Sequence, residues 1–405
     1  MKTLLIINTT CNMGSTGRIA EFIGEIASNT GWRVFYAHGS RYVSSSQHSS
    51  LEIGSKVKNN FHALWNYGIK GEDGLGSLAD TKRLIKEIEI IKPDVINLHN
   101  LHGYYINYRC LFEYLNSTSI KVVWTMHDCW PFTGGCTYLN HSMCDKWKYE
   151  CGKCPLHGDF PKHPLLDNSK NNFLLKKELF GKCRNLLMVP VSDWLRDLTN
   201  KSFLSNKRIK VIHNGVDLSV FKPYVDGRYR EKYGVEKEYL IIGVASPWSK
   251  RKGLDDFLRL NELLGENYKI ILVGVNNKQL SRLPDNIIGI KRTSNVSELA
   301  KLYSTADVFV NLTYSDNFPT TNIEALACGT PVITYKTGGA PEAVDNKTGI
   351  VVEQGDLRAV VSAIEQMRTN PLNPDLCRNR AELLFDRNKC YKEYLEIFEN
   401  AVISH

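Results

Sequence analysis

Three stretches of the sequence carry side chains of the types, and at the spacings, that handle a phosphate-bearing substrate. The first is YSDNFPTTNIEALACGTPVIT, Tyr314 to Thr334. Asp316, Asn317 and Phe318 form a loop that runs into a helix expected from about Thr320, and the backbone N–H groups of a helix start point at an anion. Thr320 and Thr321 add hydroxyl donors. Glu324 lies one turn further along the same face, where its carboxylate accepts from a ribose diol while the helix start holds the phosphates. The same residues also fit an ordinary capped helix with Glu324 as a solvated first-turn acid. The second stretch is PWSKRKGLDDF, Pro247 to Phe257, preceded by Ser246. Its Lys250, Arg251 and Lys252 sit at a loop-to-helix junction, where cations oppose the helix dipole by a few tenths of a kcal/mol. A bound diphosphate removes that conflict; a solvated basic turn is the other reading. The third is the end of KVVWTMH, where His127 and Asp128 occupy the carboxyl end of a strand, the usual place for a substrate-orienting group in an open α/β sheet. A structural loop histidine fits as well. His99 and His102, after DVINL, are secondary candidates, and the loop TTCNMGSTGR offers Gly14, Ser15 and Thr16, with Gly14 and Gly17 allowing close backbone approach.

A separate chemistry is written in the cysteines. Five of the eleven fall between Cys129 and Cys154, a clustering that favours metal over disulfides in a reducing compartment. Cys136, Cys144, Cys151 and Cys154 are spaced by eight, seven and three. CGKC, Cys151 to Cys154, is a half-site for a structural zinc, and Cys129 or His141 can replace one ligand. Reduced, unligated thiols are the alternative. Trp130, Phe132 and Trp147 are expected to pack around a metal-stapled knob within an insert spanning 129–160. Lys146, Trp147, Lys148 and Tyr149 offer that knob a contact with a lipid-linked molecule or a membrane face.

The elements that must position these groups are short apolar runs alternating with helical patterns. Leu4 to Ile7, Arg33 to Ala37, Asp94 to His99, Lys121 to His127, Asn185 to Ser192 and Lys210 to Asp217 read as strands, with helices at Gly17 to Ser28 and Ala79 to Ile91. The pattern restarts after residue 222 with strands at Tyr239 to Ala245, Tyr268 to Gly274, Asp307 to Thr313 and Pro331 to Tyr335. Helices are expected at Leu254 to Leu264, Val296 to Ser304, Asn322 to Ala327, 357–368 and about 379–400. Such alternation specifies βαβ units and parallel sheets. The expected organisation is a first Rossmann-like domain over 1–220, a second over 221–385, and a C-terminal helix over 386–405 that packs back on the first. A connector at Phe221 to Gly234 and a cleft at the carboxyl ends of both sheets complete the picture. Apolar residues make up 42% of the chain and charged residues 23%, ordinary for a globular protein. Leu4 to Ile7 is too short for a signal-peptide core and no run reaches membrane-spanning length, so a cytoplasmic location is expected. The net charge of +8 lacks the aromatic-interleaved basic stripe of a nucleic-acid binder.

NFPTTNIEALACGTPVI, followed by Gly338, Gly339 and Glu342, resembles the signature of glycosyltransferase family 4, as do Lys252–Gly253 and NGVDLSVF of Asn214 to Phe221. The resemblance runs in the right order over most of the chain and is closest to the branch that builds bacterial surface polysaccharides, including colanic-acid-type and O-antigen transferases. It implies an α/β chain of two facing, doubly wound Rossmann-like domains (the GT-B fold) and a retaining transfer from a UDP- or GDP-sugar to an undecaprenyl-diphosphate-linked oligosaccharide. Peripheral contact with the inner face of the plasma membrane goes with that acceptor. By the same resemblance Glu324 binds the donor ribose, and Lys252, helped by Arg251, neutralises the diphosphate. Asn317 to Thr321 contact phosphate and sugar, His127 sits near the transferred sugar, and the first loop covers donor phosphates and acceptor. His127, Lys252 and Glu324 are thus the expected catalytic groups. No cofactor is needed for the chemistry: front-face attack lets the leaving phosphate take the acceptor proton, the charge is stabilised electrostatically, and the sequence has no DxD motif. Two positions depart from the family pattern. Asp316 stands where a glutamate is usual, and Ser246 where an arginine is usual. The competing readings are a nucleotide-sugar epimerase on the same fold and a zinc-containing nucleic-acid-binding protein.

Overall fold

The apolar runs are too uniformly hydrophobic for a sheet with one wet face, and each is buried on both sides. In the computed structural model, which describes residues 1–65, 71, 74–139, 144–155, 166–225 and 228–403, all six residues of β1 (Thr3–Asn8) are buried. Such burial requires helices on both faces of a parallel sheet. The first sheet contains β1, β2 (Arg33–Gly39), β3 (Ser49–Ile53), β4 (Val95–Leu98), β5 (Lys121–Met126), β6 (Leu186–Pro190) and β7 (Arg208–Ile209). Its order is β3-β2-β1-β4-β5-β6-β7, with every pairing parallel. The second contains β8 (Tyr239–Val244), β9 (Tyr268–Val273), β10 (Ile287–Ile290), β11 (Val308–Asn311), β12 (Val332–Tyr335) and β13 (Gly349–Val352). It runs β10-β9-β8-β11-β12-β13, again all parallel. In each sheet the strand order reverses beside the first strand, so the loops after β1 and β4, and after β8 and β11, open at the switch point where doubly wound sheets bind ligands. Among the described residues no helix is long and apolar enough to cross a membrane.

The chain divides into two compact units, Met1–His213 joined by the chain from Tyr391 onward, and Asn214–Cys390. The C-terminal segment belongs to the first unit through side chains. Glu399 accepts from Trp32 Nε1 at 2.8 Å and pairs with Lys2, while Phe398 packs 6.0 Å from the Trp32 ring.

Two expectations about elements need correction. Lys210 to Asp217 is not a strand: β7 ends at Ile209, and Val216 makes only an isolated bridge to Asp386. The reason is a close backbone crossing, because a Cβ on Gly215 would lie 2.3 Å from Arg387 Cα. That crossing also breaks the single helix expected over 379–400 into Pro374–Leu384 and Arg387–Ile403. Phe385 O accepts from Val216 N and Arg387 N donates to Val216 O, so the backbone at the break bonds sideways instead of along a helix. Strands β3, β10 and β13 had no expectation attached. They are short, four or five residues each, and lie at the edges of the sheets.

Candidate functional site

In the second unit the loop after β11 leads directly into the helix Thr320–Ala327. No side chain caps this helix, and its preceding residue is Pro319. Thr320, Thr321 and Glu324 are half-buried on one face. Tyr303 OH donates to Glu324 Oε2 at 3.2 Å; burial first, and then the Glu324 charge, holds that phenol protonated far above its ordinary range. One Glu324 carboxyl oxygen is thus anchored from beneath. Asn322 points inward, bridging Asn311 Nδ2 at 2.7 Å and Ala340 O at 3.2 Å, which ties the helix to β11 and to the loop after β12. Asn317 O accepts from Gly339 N at 3.1 Å, so the two loops at the carboxyl ends of β11 and β12 are stitched together. Phe318 turns into the interior, 4% exposed and 5.9 Å from Phe385; its ring is a packing anchor, not a surface for a ligand.

The basic turn meets this loop. Lys250–Lys252 form a 3-10 turn, and Gly253, at φ 75, starts the helix Leu254–Leu263. Lys252 Nζ lies 2.5 Å from Asp316 Oδ2, with both side chains about one-fifth exposed. Arg251 Nη1 donates to Ser315 O at 2.5 Å, and Arg251 O accepts from Tyr314 N at 2.8 Å. The conflict between the cations and the helix dipole is thus answered by acids: Asp255 and Asp256 occupy the first turn, and Asp316 faces Lys252. Asp256 is buried and accepts from both Tyr314 OH and Tyr335 OH at 2.7 Å. Burial, reinforced by that carboxylate, pushes the Tyr314 phenol up to about 12. Ser246, at the end of β8, precedes this turn.

In the first unit β1 delivers the glycine loop to the helix Gly14–Asn29. Gly14 adopts φ 70 and is exposed with Ser15, while Thr16 is half-buried. Gly17 packs against the loop, where a Cβ would lie 2.7 Å from Thr10 Oγ1. Asn8 Nδ2 and Tyr36 OH both donate to Thr10 O at 3.0 Å, holding the loop from below.

His127 follows β5 and stacks on His99 with ring centroids 5.2 Å apart. A chain of hydrogen bonds sets its tautomer. Asn97 Nδ2 donates to Val123 O at 2.9 Å and Thr125 Oγ1 at 3.1 Å, which leaves Asn97 Oδ1 to accept from His99 Nε2 at 3.0 Å. Burial holds His99 neutral, so its Nδ1 is an acceptor, and His127 Nε2 must donate to it across 2.9 Å. Burial, opposed in part by Asp128, brings His127 down to about 4. At neutral pH His127 is therefore an uncharged imidazole whose Nε2 carries the proton. His102 Nε2 lies 2.7 Å from Asp128 Oδ2, whose other oxygen accepts from Trp130 N at 2.9 Å.

Between His127 and Asn168 the described residues hold two 3-10 turns, Trp130–Phe132 and Lys146–Lys148, and no other helix or strand. Cys136, Cys144, Cys151 and Cys154 all line one small cavity, closed by Leu139, Trp147 and Thr133. Trp147 is 3% exposed and packs 5.3 Å from Phe132. Lys146 Nζ binds Gly152 O and Lys153 O, each at 2.8 Å, and Lys148 pairs with Asp145. The expected outward display of Lys146, Trp147, Lys148 and Tyr149 is corrected accordingly: Tyr149 alone of the two aromatics is exposed, because the tryptophan is needed to roof the cavity. His141 lies outside the described residues. Cys129 is fully buried and does not line the cavity.

Several site residues had no signal strong enough to single them out. Asp256 and Tyr303 sit beneath the exposed groups and touch them only after folding. Ser315 Oγ is buried with no hydrogen-bond partner among the described residues, beside Asp316 in the loop after β11. The paired acids after Lys252–Gly253 were a usable hint for Asp256; nothing local pointed to Tyr303.

With that geometry in hand, the comparisons with known proteins fall on the same division of the chain. Residues 56–220 match the family model for Glycosyltransferase Family 4, and residues 225–383 the model for Glycosyl transferases group 1. The chain belongs to the glycosyltransferases of these families, with one of the two domains in each half. Among relatives, WcaC of Escherichia coli (strain K12), a glycosyl transferase ascribed to colanic acid biosynthesis, is 25% identical over 277 residues. That match covers 66% of each chain, so just under two thirds of WcaC is represented. Sucrose-phosphate synthase of Thermosynechococcus elongatus shares the fold over 100% of both chains, with a TM-score of 0.76 at 16% identity. Anabaena HepE, solved with UDP-glucose, shares it over 99% of this chain and 100% of its own, with a TM-score of 0.67 at 16% identity. These likenesses identify the paired doubly wound units as the GT-B architecture.

Proposed function

We propose that this protein transfers a sugar, with retention of anomeric configuration, from a UDP- or GDP-sugar to a growing lipid-linked bacterial polysaccharide. The observation that carries the reading is the convergence of Lys252, Asp316, the uncapped start of Thr320–Ala327 and Glu324 around one loop of the second unit. A diphosphate bound there takes up the Lys252 ammonium and the helix-start N–H groups. The unpartnered Ser315 hydroxyl supplies a further donor. Glu324, anchored by the Tyr303 hydroxyl, accepts from a ribose diol. As the bond from the anomeric carbon to the diphosphate breaks, negative charge grows on the leaving oxygen, and Lys252 with the helix dipole stabilises it. The acceptor hydroxyl attacks from the same face and gives its proton to that oxygen. His127, uncharged at neutral pH, sits near the transferred sugar, and Gly14, Ser15 and Thr16 line the first unit's ligand-facing loop. HepE was solved with UDP-glucose and WcaC is ascribed to colanic acid biosynthesis; both support a nucleotide-sugar donor and a surface-polysaccharide product. Recognition of a lipid-linked acceptor makes the protein peripheral to the inner membrane face.

The test is thermal shift across UDP-, GDP- and ADP-sugars, followed by transfer to undecaprenyl-diphosphate-linked oligosaccharides read by mass spectrometry and NMR. One nucleotide series should stabilise the protein, and the product should keep the donor's anomeric configuration. Conversion of the donor sugar without nucleotide release would identify an epimerase instead, and the absence of any nucleotide response would refute the donor-site assignment.

A further inference from the structure

We propose that Cys136, Cys144, Cys151 and Cys154 bind one structural zinc ion, and that this ion staples the segment after β5 on which Asp128 and His127 depend. Four thiols from three separate stretches of chain line a single small cavity. Cys136 interacts with Cys154 and Cys151, and Cys151 with both Cys144 and Cys154. Four cysteines on one cavity wall, with no carboxylate or imidazole among its described lining residues, offer the donor set of tetrahedral zinc.

The backbone around Cys151 and Cys154 is shaped for chelation. Gly152 has φ 154 and Lys153 φ 46, so the two residues between the thiols turn the chain tightly enough to bring both sulfurs to one side. Gly134 N–H donates to Cys151 Sγ at 3.3 Å, the backbone-to-sulfur bond that stabilises a thiolate ligand. Lys146 clamps the Gly152 and Lys153 carbonyls, and Cys154 N donates to Asp167 Oδ2 at 2.6 Å. Residues 133–139 and 144–155 contain one 3-10 turn, Lys146–Lys148, and otherwise no helix or strand. A segment with so few backbone bonds and a core of little more than Trp147 and Phe132 needs a cross-link to hold one conformation.

The staple reaches the candidate site through short bonds. Thr133 Oγ1 donates to Cys136 O at 2.7 Å, and Cys129 N to Thr137 O at 3.1 Å. The buried Lys176 donates to Trp130 O at 2.8 Å and Thr133 O at 3.1 Å. Asp128 is fixed at one end by His102 and at the other by Trp130 N, immediately beside this clamp.

The experiment is metal analysis of the full-length protein as purified, combined with peptide-mapped alkylation. One zinc per chain is expected, with Cys136, Cys144, Cys151 and Cys154 protected until a strong chelator is added, while Cys110 outside the knob reacts throughout. Cobalt reconstitution should give the thiolate charge-transfer and intense d–d bands of a tetrahedral all-sulfur site, and zinc removal should lower Tm by about 5 °C or more. C151S/C154S should lose the zinc; if that variant does not fold, the wild-type stoichiometry and alkylation map decide the matter alone. Iron in place of zinc, disulfides among the four cysteines, or four freely alkylated thiols without metal would each overturn the proposal.

Discussion

Lys252 and Asp316 form a pair 2.5 Å apart, and their separate roles are open to test. Replacing Lys252 with Met is expected to lower kcat/KM by about two to three orders of magnitude, the usual loss when one transition-state charge partner is removed, while Tm moves by only a few degrees. Asp316→Asn keeps the side chain's size but removes its charge. It should alter selectivity among donor sugars and leave the affinity for the free nucleotide within about threefold, an outcome read by competition among UDP-sugars and by calorimetry with UDP. Glu324 has two tasks, so its variants separate. Glu324→Ala strips the acceptor from the buried Tyr303 hydroxyl and should cost about 1–3 kcal/mol of stability as well as activity. Glu324→Gln retains an acceptor for Tyr303 and should keep its Tm yet lose donor binding. His127 and His99 have folded-state values below the unfolded 6.5, near 4 for His127, so the unfolded chain binds more protons than the native one between those limits. Stability should therefore be flat above about pH 6.5 and fall as pH drops from there toward 4. Urea midpoints across that range check the sign, and His127→Asn should shallow the slope.

At the scale of elements, the junction between the basic turn and its helix depends on a single residue. Gly253 has φ 75, and a Cβ there would lie 2.1 Å from Leu312 O. Backbone against backbone leaves no flexible atom to move aside. Gly253→Ala should thus exceed the roughly 1–2 kcal/mol penalty of a left-handed conformation, and should reduce kcat/KM further by displacing Lys252 from the Asp316 loop. Chemical denaturation and steady-state kinetics on the same preparation distinguish the two effects. The neighbouring layer is made of buried polar residues bonded to groups nearer the surface or the site: Asp256 to Tyr314, Tyr303 to Glu324, Asn97 to His99. Each fixes the orientation of a group above it. That arrangement explains why the carboxyl ends of β4, β5 and β11 carry buried polar side chains that a strand core would otherwise exclude.

For the whole molecule, the C-terminal segment is a structural part of the first unit. Tyr391, Tyr394 and Phe398 are buried, and Glu399 ties to Lys2 and Trp32. At about 1.5–3 kcal/mol for each large apolar side chain buried, loss of residues 391–405 should remove several kcal/mol from that unit. Residues 1–213 expressed alone are expected to be unstable, and adding back a peptide of the C-terminal segment should restore cooperative unfolding.

The sequence by itself determined the two doubly wound units, the loops that carry the donor-side groups and the cysteine cluster. Short continuous apolar runs, helix-period spacing and fixed motifs are local properties that survive without knowledge of contacts. The same local reading extended β7 into a coil and ran a helix through Phe385, because the competing bonds come from Val216, far away in the chain. Only the tertiary structure decided that Phe318 and Trp147 face inward, that Lys252 meets Asp316, and that His127 pairs with His99. Burial and hydrogen-bond partners are supplied by residues tens to hundreds of positions distant, and no window along the chain contains both sides of such a contact.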